Sequence, residues 1–325
     1  MKSKAKISLA SALALTLTFC GCGDVLAPTK QDKKIVMTIG DEEVEYQEYR
    51  YFFLNNKREQ YGDDAELTAE QVAGLQQLAA ENIKNRHTLR IMASGYQVTL
   101  TDEEKAGVDG YVDSYRSGFG DDAEYAEMLG EQFITDDLFR SITADTVLAR
   151  AVLEKMKETG VIETGEEAEN RALAGDDIIC IKEIYLYNPS AETAESVRKR
   201  AEEALSRLDA GESFEAMMEQ YSSYNADELP YEYGYYTAKY DALDVIWDAA
   251  EQLDVGEYSG VVESEYGCHI VMRCEKNAGY MNEHRDEIFE IYTQSKFYEE
   301  FYRLYDSLTP EFTEYGAKLD FAGMK

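Results

Sequence analysis

Past residue 33 the apolar positions of this chain follow first one spacing and then another. In "KIVMTIGDEEVEYQEYRYFF", alternation on either side of Gly40-Asp41 predicts two short strands joined by a turn, with a helix after them. From Thr68, Val72, Leu75, Ala79 and Ile83 recur at three- and four-residue spacing, which predicts a long helix that stops at Gly95. "TDEE" at Thr101 to Glu104 has capping-box spacing and opens another helix. A further helix begins near Thr135, with Phe139, Ile142, Thr146, Ala149 and Leu153 on one side. Residues 34–157 are therefore expected to form a mostly helical domain. The acidic stretch 158–177 holds three glycines and no sustained stripe, and it reads as a linker.

Beyond the linker the period changes. "IICIKEIYLY" is a β-rich run ended by Pro189, and Ala194, Val197, Ala201, Leu205 and Leu208 then mark an amphipathic helix stopped at Gly211. A shorter helix carries Phe214, Met217, Met218 and Tyr221, and a tyrosine-rich loop leads to a helical segment around Ile246 to Leu253. "GEYSGVVESEYGCHIVMRCE" supplies a final pair of strands. The order strand, three helices, strand, strand gives an α+β unit over residues 178–276. Residues 281–325 begin with a long aromatic-rich helix whose apolar face is too large to leave in water, so it is expected to pack on the N-terminal domain.

The first residues have another design. Lys2, Lys4 and Lys6 precede the apolar run "ISLASALALTLTF", which is too short to span a bilayer and reads as an export signal. It ends in "TFCGCGD", which resembles the lipobox of bacterial lipoproteins. Cys22, after the small Gly21, fits lipidation best, with Cys20 after Phe19 the alternative. Residues 1–21 are thus expected to be a lipoprotein signal peptide and 22–33 a tether to the extracytoplasmic face of a cell membrane. With 65 acidic residues against 32 basic ones the net charge is -33, which argues against a nucleic-acid partner. Cys180, Cys268 and Cys274 lie in apolar strand-like runs and read as buried packing. No metal spacing, phosphate loop or hydrolase motif is present, and no cofactor is implied.

The motifs "KEIYL", "LDAGESFEAMMEQYS", "YGYY", "AAEQLDVGEYSGVV" and "EYGCHIV" together resemble a parvulin-type peptidyl-prolyl isomerase domain. The whole chain is similar to the exported foldases typified by PrsA lipoproteins and SurA. The resemblance implies an α+β fold: a parvulin-like antiparallel sheet with helices, inserted in a mostly α-helical chaperone domain. It also implies clients that are unfolded exported proteins with proline-containing segments. His269 matches the histidine that ends the family's signature. Glu183 stands where a first-strand histidine would be, and Tyr224 where an aspartate or cysteine would be, so these three are the candidate catalytic positions. Tyr235, Tyr236, Leu243, Ile246 and Trp247 occupy the region of the proline pocket.

If the first and last strands pair antiparallel with Glu183 opposite His269, their Cβ atoms lie about 5 Å apart, within reach of a charge-assisted hydrogen bond. Strand alternation then turns all three cysteines to the other face. His87 and His284 fall in polar helical stretches and are expected to be solvated. Three functions stay open: a foldase that isomerises prolyl bonds, a parvulin-fold chaperone that only binds clients, and an assembly lipoprotein for one dedicated partner.

Overall fold

The computed structural model describes residues 29–188, 190, 193–223 and 234–324. The signal peptide, most of the tether, Cys22 and Tyr224 lie outside the described residues. Among them, 29–159 with 300–324 form one compact unit and 160–299 the other. The elements run β1 (Ile35–Ile39), β2 (Glu42–Glu45), α1 (Tyr46–Tyr61), α2 (Ala69–Gly95), α3 (Asp102–Arg116), α4 (Asp122–Glu131), α5 (Asp136–Glu158) and α6 (Glu166–Ala174). They continue with β3 (Ile178–Tyr187), α7 (Ala194–Asp209), α8 (Phe214–Tyr221), β4 (Tyr235–Ala238), α9 (Asp244–Ala250), β5 (Val262–Ser264), β6 (Gly267–Cys274), α10 (Ala278–Glu283), α11 (Arg285–Ser307) and β7 (Pro310–Phe312).

In the helical unit, β1 and β2 form the expected hairpin. β7 joins it on the other side of β1, pairing Met37 with Phe312. Residues from both ends of the chain therefore share one small sheet, on which Tyr49 and Phe53 of α1 and Leu75, Ala79 and Ile83 of α2 are buried. The capping box at Thr101 forms: its hydroxyl accepts from the Glu104 amide at 3.2 Å, and its own amide donates to the Glu104 carboxylate at 2.8 Å.

A buried ion network ties α1, α2 and α5 together. Arg86 on α2 donates to Glu48 on α1 at 2.6 Å and to Asp145 on α5. Arg90 adds a second bond to Asp145 at 3.0 Å. His87, expected in solvent, is only 1% exposed, with Nε2 3.2 Å from the Glu48 carboxylate. The polar neighbours that suggested a solvated helix face are the same residues that satisfy one another inside. Burial alone would raise the Glu48 carboxyl, but the hydrogen bond to His87 and the charge of Arg86 outweigh it and lower it to about 2.

In the second unit the strand order is β4-β3-β6-β5, all antiparallel. One face carries Ile184, Leu186, Cys268 and Ile270 against Val197, Ala201 and Leu208 of α7 and Phe214, Met217 and Met218 of α8. The other carries Ile179, Ile181 and Val271 against Ile246, Trp247 and Ala250 of α9. Cover on both faces explains why "IICIKEIYLY" reads as a nearly continuous apolar run.

The structure departs from the sequence reading in several places. The segment 158–177 contains α6, which buries Ala168, Ala172 and Leu173; three small or single apolar contacts leave too weak a stripe to see. The short helix α4 lay in a stretch with no expected element. The tyrosine-rich loop ends in a strand, β4, and α9 starts two residues earlier than expected, at Asp244.

The Arg86 network yields a test. Arg86→Met leaves Glu48 buried without its guanidinium and Asp145 with Arg90 alone, and is expected to cost about 3–5 kcal/mol in chemical denaturation of the chain. Because the Glu48 carboxyl is lower in the folded state than its ordinary value of 4.5, its contribution is complete above that value. It is lost as pH falls toward about 2, so the destabilisation by Arg86→Met should shrink across that window.

Candidate functional site

Both strands that carry candidate polar residues lie in the centre of the second sheet. β3 and β6 pair in register from Cys180↔Cys274 to Tyr187↔Gly267, which sets Glu183 across from Val271 and His269 across from Tyr185. The expectation that Glu183 stands directly opposite His269 is therefore corrected: the two are diagonal neighbours. Both side chains are long enough to close that diagonal, and His269 Nδ1 bonds Glu183 Oε1. Each is about 2% exposed as a side chain.

Three further groups complete the arrangement. Ser264, on the neighbouring strand β5, places its hydroxyl 2.7 Å from His269 Nε2 and accepts from the Tyr266 amide at 3.1 Å. Tyr235 donates its phenol to the second Glu183 oxygen at 2.9 Å. The Tyr185 ring stacks on the imidazole with centroids 4.9 Å apart and planes within 16°. A carboxylate only accepts, so the proton between Glu183 and His269 sits on Nδ1 when Glu183 is ionised. With the ring neutral, Nε2 then accepts from the Ser264 hydroxyl. The result is a directional chain from a buried carboxylate to a half-buried hydroxyl.

An apolar wall stands on the same face of the sheet. Ile246 and Trp247 are buried against Ile181 and Val271, with Leu243, Val245 and Tyr235 partly exposed at the edge. The Trp247 indole donates to Glu251 at 3.1 Å, which fixes the ring on its own helix. Of the five expected pocket residues, Tyr235, Leu243, Ile246 and Trp247 come together. Tyr236 does not. Neighbours on a strand point to opposite faces, and Tyr236 pairs with Cys180, packs beside Ile288 and bonds the Asn277 backbone.

Sequence reasoning missed Ser264 and Tyr185. Ser264 is diagonal to His269 across the β5–β6 hairpin, where Val262 is the direct partner. The signal was the tight turn at Glu265-Tyr266, which fixes the hairpin register. Gly267 is required there: a Cβ on it would lie 2.0 Å from the Leu186 carbonyl oxygen. Gly234, before β4, has φ +75°, and a Cβ would lie 2.7 Å from the Ile181 carbonyl oxygen. The glycine of "EYGCHIV" thus lets the two central strands approach, and that of "YGYY" lets the start of β4 close on β3. Beyond β4 the edge of β3 is covered by the turn after α8, where Ser222 and Ser223 bond the Tyr185 and Tyr187 amides at 3.2 and 3.0 Å.

Comparison with known proteins agrees with this architecture. Residues 179–275 match the PPIC-type PPIase domain, and residues 1–153 match the SurA-like N-terminal domain. Foldase protein PrsA of Halalkalibacterium halodurans is 29% identical over 237 residues, covering 70% of this chain and 62% of that protein. Foldase protein PrsA of Bacillus subtilis is 30% identical over 83 residues, covering 26% of this chain and 28% of the relative. The chain therefore spans less than two thirds of the length of either. Among solved structures, the PrsA peptidylprolyl isomerase of Bacillus anthracis is 18% identical, covers 70% of this chain and 94% of its own, and has a TM-score of 0.34. The chain carries a parvulin-type domain and a SurA-like N-terminal domain and is homologous to the PrsA foldases.

The buried pair makes a direct prediction. Glu183→Ala leaves His269 Nδ1 and the Tyr235 phenol without their acceptor and should cost about 3 kcal/mol or more in chemical denaturation. In long-range proton–nitrogen NMR of the wild type, His269 Nδ1 should carry a slowly exchanging proton. That signal should be absent in Glu183→Ala, which removes the acceptor.

Proposed function

We propose, with a PPIC-type domain and a SurA-like N-terminal domain in one chain as the premise, that this protein is an extracytoplasmic, lipid-anchored foldase. It binds unfolded exported chains and isomerises their Xaa-Pro bonds. The observation that carries the reading is the Glu183–His269–Ser264 chain beside the wall of Leu243, Ile246 and Trp247, on one face of the sheet within residues 179–275.

The barrier to rotation is about 18–20 kcal/mol because a twisted amide loses resonance. Rotation needs no nucleophile. It is accelerated by contacts stronger in the twisted state than in the planar one. The partly exposed edge of the apolar wall takes the proline ring, and the half-buried hydroxyl oxygens of Ser264 and Tyr235, whose hydrogens go to His269 and Glu183, turn their lone pairs to the carbonyl carbon, which becomes more electrophilic as the amide twists. Glu183 and His269 are nearly closed to solvent, so they act as positioning residues: they hold those two hydroxyls at fixed angles. Tyr224, the third candidate position, lies outside the described residues.

A second reading, binding of client chains without catalysis, is favoured by one observation: a glutamate with both oxygens engaged occupies the first-strand histidine position. Cis/trans exchange of a short Xaa-Pro peptide, followed by NMR, separates the two. The isomerase reading expects acceleration by the wild type and a loss of about tenfold or more in Ser264→Ala and His269→Ala, the scale of one hydrogen bond to a charge-coupled network. Peptide binding without acceleration by the wild type would leave holding as the function.

The anchor has its own test. In a bacterial host, Cys22→Ala should release the chain from the membrane fraction, whereas Cys20→Ala should leave it bound. The reverse pattern would move the lipid to Cys20.

A further inference from the structure

The β3–β6 register that builds the site also sets two cysteines face to face. Cys180 and Cys274 are Cα partners at one end of the paired strands, and neither is in a disulfide. Directly opposed residues of an antiparallel pair have Cα atoms about 4.5–5.5 Å apart, inside the range of roughly 4.4–6.8 Å that a disulfide spans. Paired residues also point to the same face, so the two Cβ vectors converge.

We infer that Cys180 and Cys274 are a redox-active dithiol that closes a cross-strand disulfide between β3 and β6 when it meets a small-molecule or protein disulfide. The two thiols are not equivalent. Cys274 is half-buried, whereas Cys180 is 1% exposed. The hydrogen bond between them holds Cys274 below the ordinary thiol range, against its burial, with the Lys182 charge assisting. Cys180 is pushed up, first by that same hydrogen bond and then by burial.

The order of events follows. The Cys274 thiolate attacks one sulfur of the incoming disulfide RSSR, forming a mixed disulfide and expelling RS⁻, which takes a proton as RSH. The chief influence that raises Cys180 is then gone, because the Cys274 sulfur is no longer a thiolate. Cys180 gives up its proton and attacks the Cys274 sulfur, and the second RS⁻ leaves as RSH. The protein loses two protons and two electrons, and RSSR becomes two RSH. Cys268 takes no part: its direct partner is Leu186.

The bond would join β3 three positions before Glu183 to β6 five positions after His269. It depends on the register alone and not on isomerase activity. To test it, the folded full-length chain is incubated with oxidised glutathione, alkylated in denaturant, digested and mapped by mass spectrometry. The expected product is a linked peptide pair containing Cys180 and Cys274, two hydrogens lighter than the free peptides, with Cys268 alkylated. Cys180→Ser should retain glutathione on Cys274, and Cys274→Ser should leave Cys180 free of it. Complete alkylation of both thiols in the wild type, or a linkage to Cys268 or an N-terminal cysteine instead, overturns the assignment. Glutathione retained on Cys180 in Cys274→Ser overturns the order of attack.

Discussion

Everything in the second unit depends on the register of β3 against β6. A slip of one residue in either strand would turn Glu183 or His269 away from the other, toward α7 and α8, where Met217, Met218 and Leu208 offer no partner for a charge. Two features pin it. Gly267 must sit against the Leu186 carbonyl, where any Cβ would collide, and each face has its own helices to fill. The diagonal acid–base pair is then a consequence of the register as well as a lock on it, because an unpaired buried carboxylate costs several kcal/mol.

The sequence carried much of this, but unevenly. His269 and Glu183 were legible through the resemblance to the parvulin signature, which singles out one position on each strand. Their diagonal relation was not legible, since register comes from the hairpin turn and the glycine contacts, which involve residues distant in sequence. β4 was hidden because tyrosines suit a loop and a strand equally, and only pairing with Ile178 to Ile181 decides between them. Once it is a strand, Tyr235 and Tyr236 cannot share a face, which removes Tyr236 from the pocket.

His87 shows the same limit from the other side. Its neighbourhood on α2 is polar, and polarity reads as solvent exposure when one helix is viewed alone. The three helices instead bury that polarity against itself, with Arg86 serving Glu48 and Asp145 at once. Each unit thus contains a buried histidine on a glutamate, but the settings differ. Around Glu48 the Arg86 guanidinium and the His87 imidazole face one carboxylate, and the cluster acts as a cross-link between helices. Around Glu183 the hydrogen bonds lead through His269 to Ser264, whose hydroxyl lies nearer to solvent.

That difference bears on the proposed site, where the resemblance to parvulins sets Glu183 at the position of a first-strand histidine. Two neutral imidazoles can trade a proton in either direction, and neither need be charged. A carboxylate permits one direction only: it accepts from Nδ1, so Nε2 is left to accept from Ser264 and the phenol of Tyr235 must donate inward. The substitution therefore exchanges an adaptable hydrogen-bond pair for a fixed one. Its cost is a buried negative charge, offset by two donors. What it supplies is orientation, since both hydroxyls at the edge of the apolar wall have their geometry set by the same carboxylate. Under the isomerase reading proposed above, such a site would act on a twisted amide through preorganised dipoles without proton transfer, which is the chemistry that prolyl rotation allows.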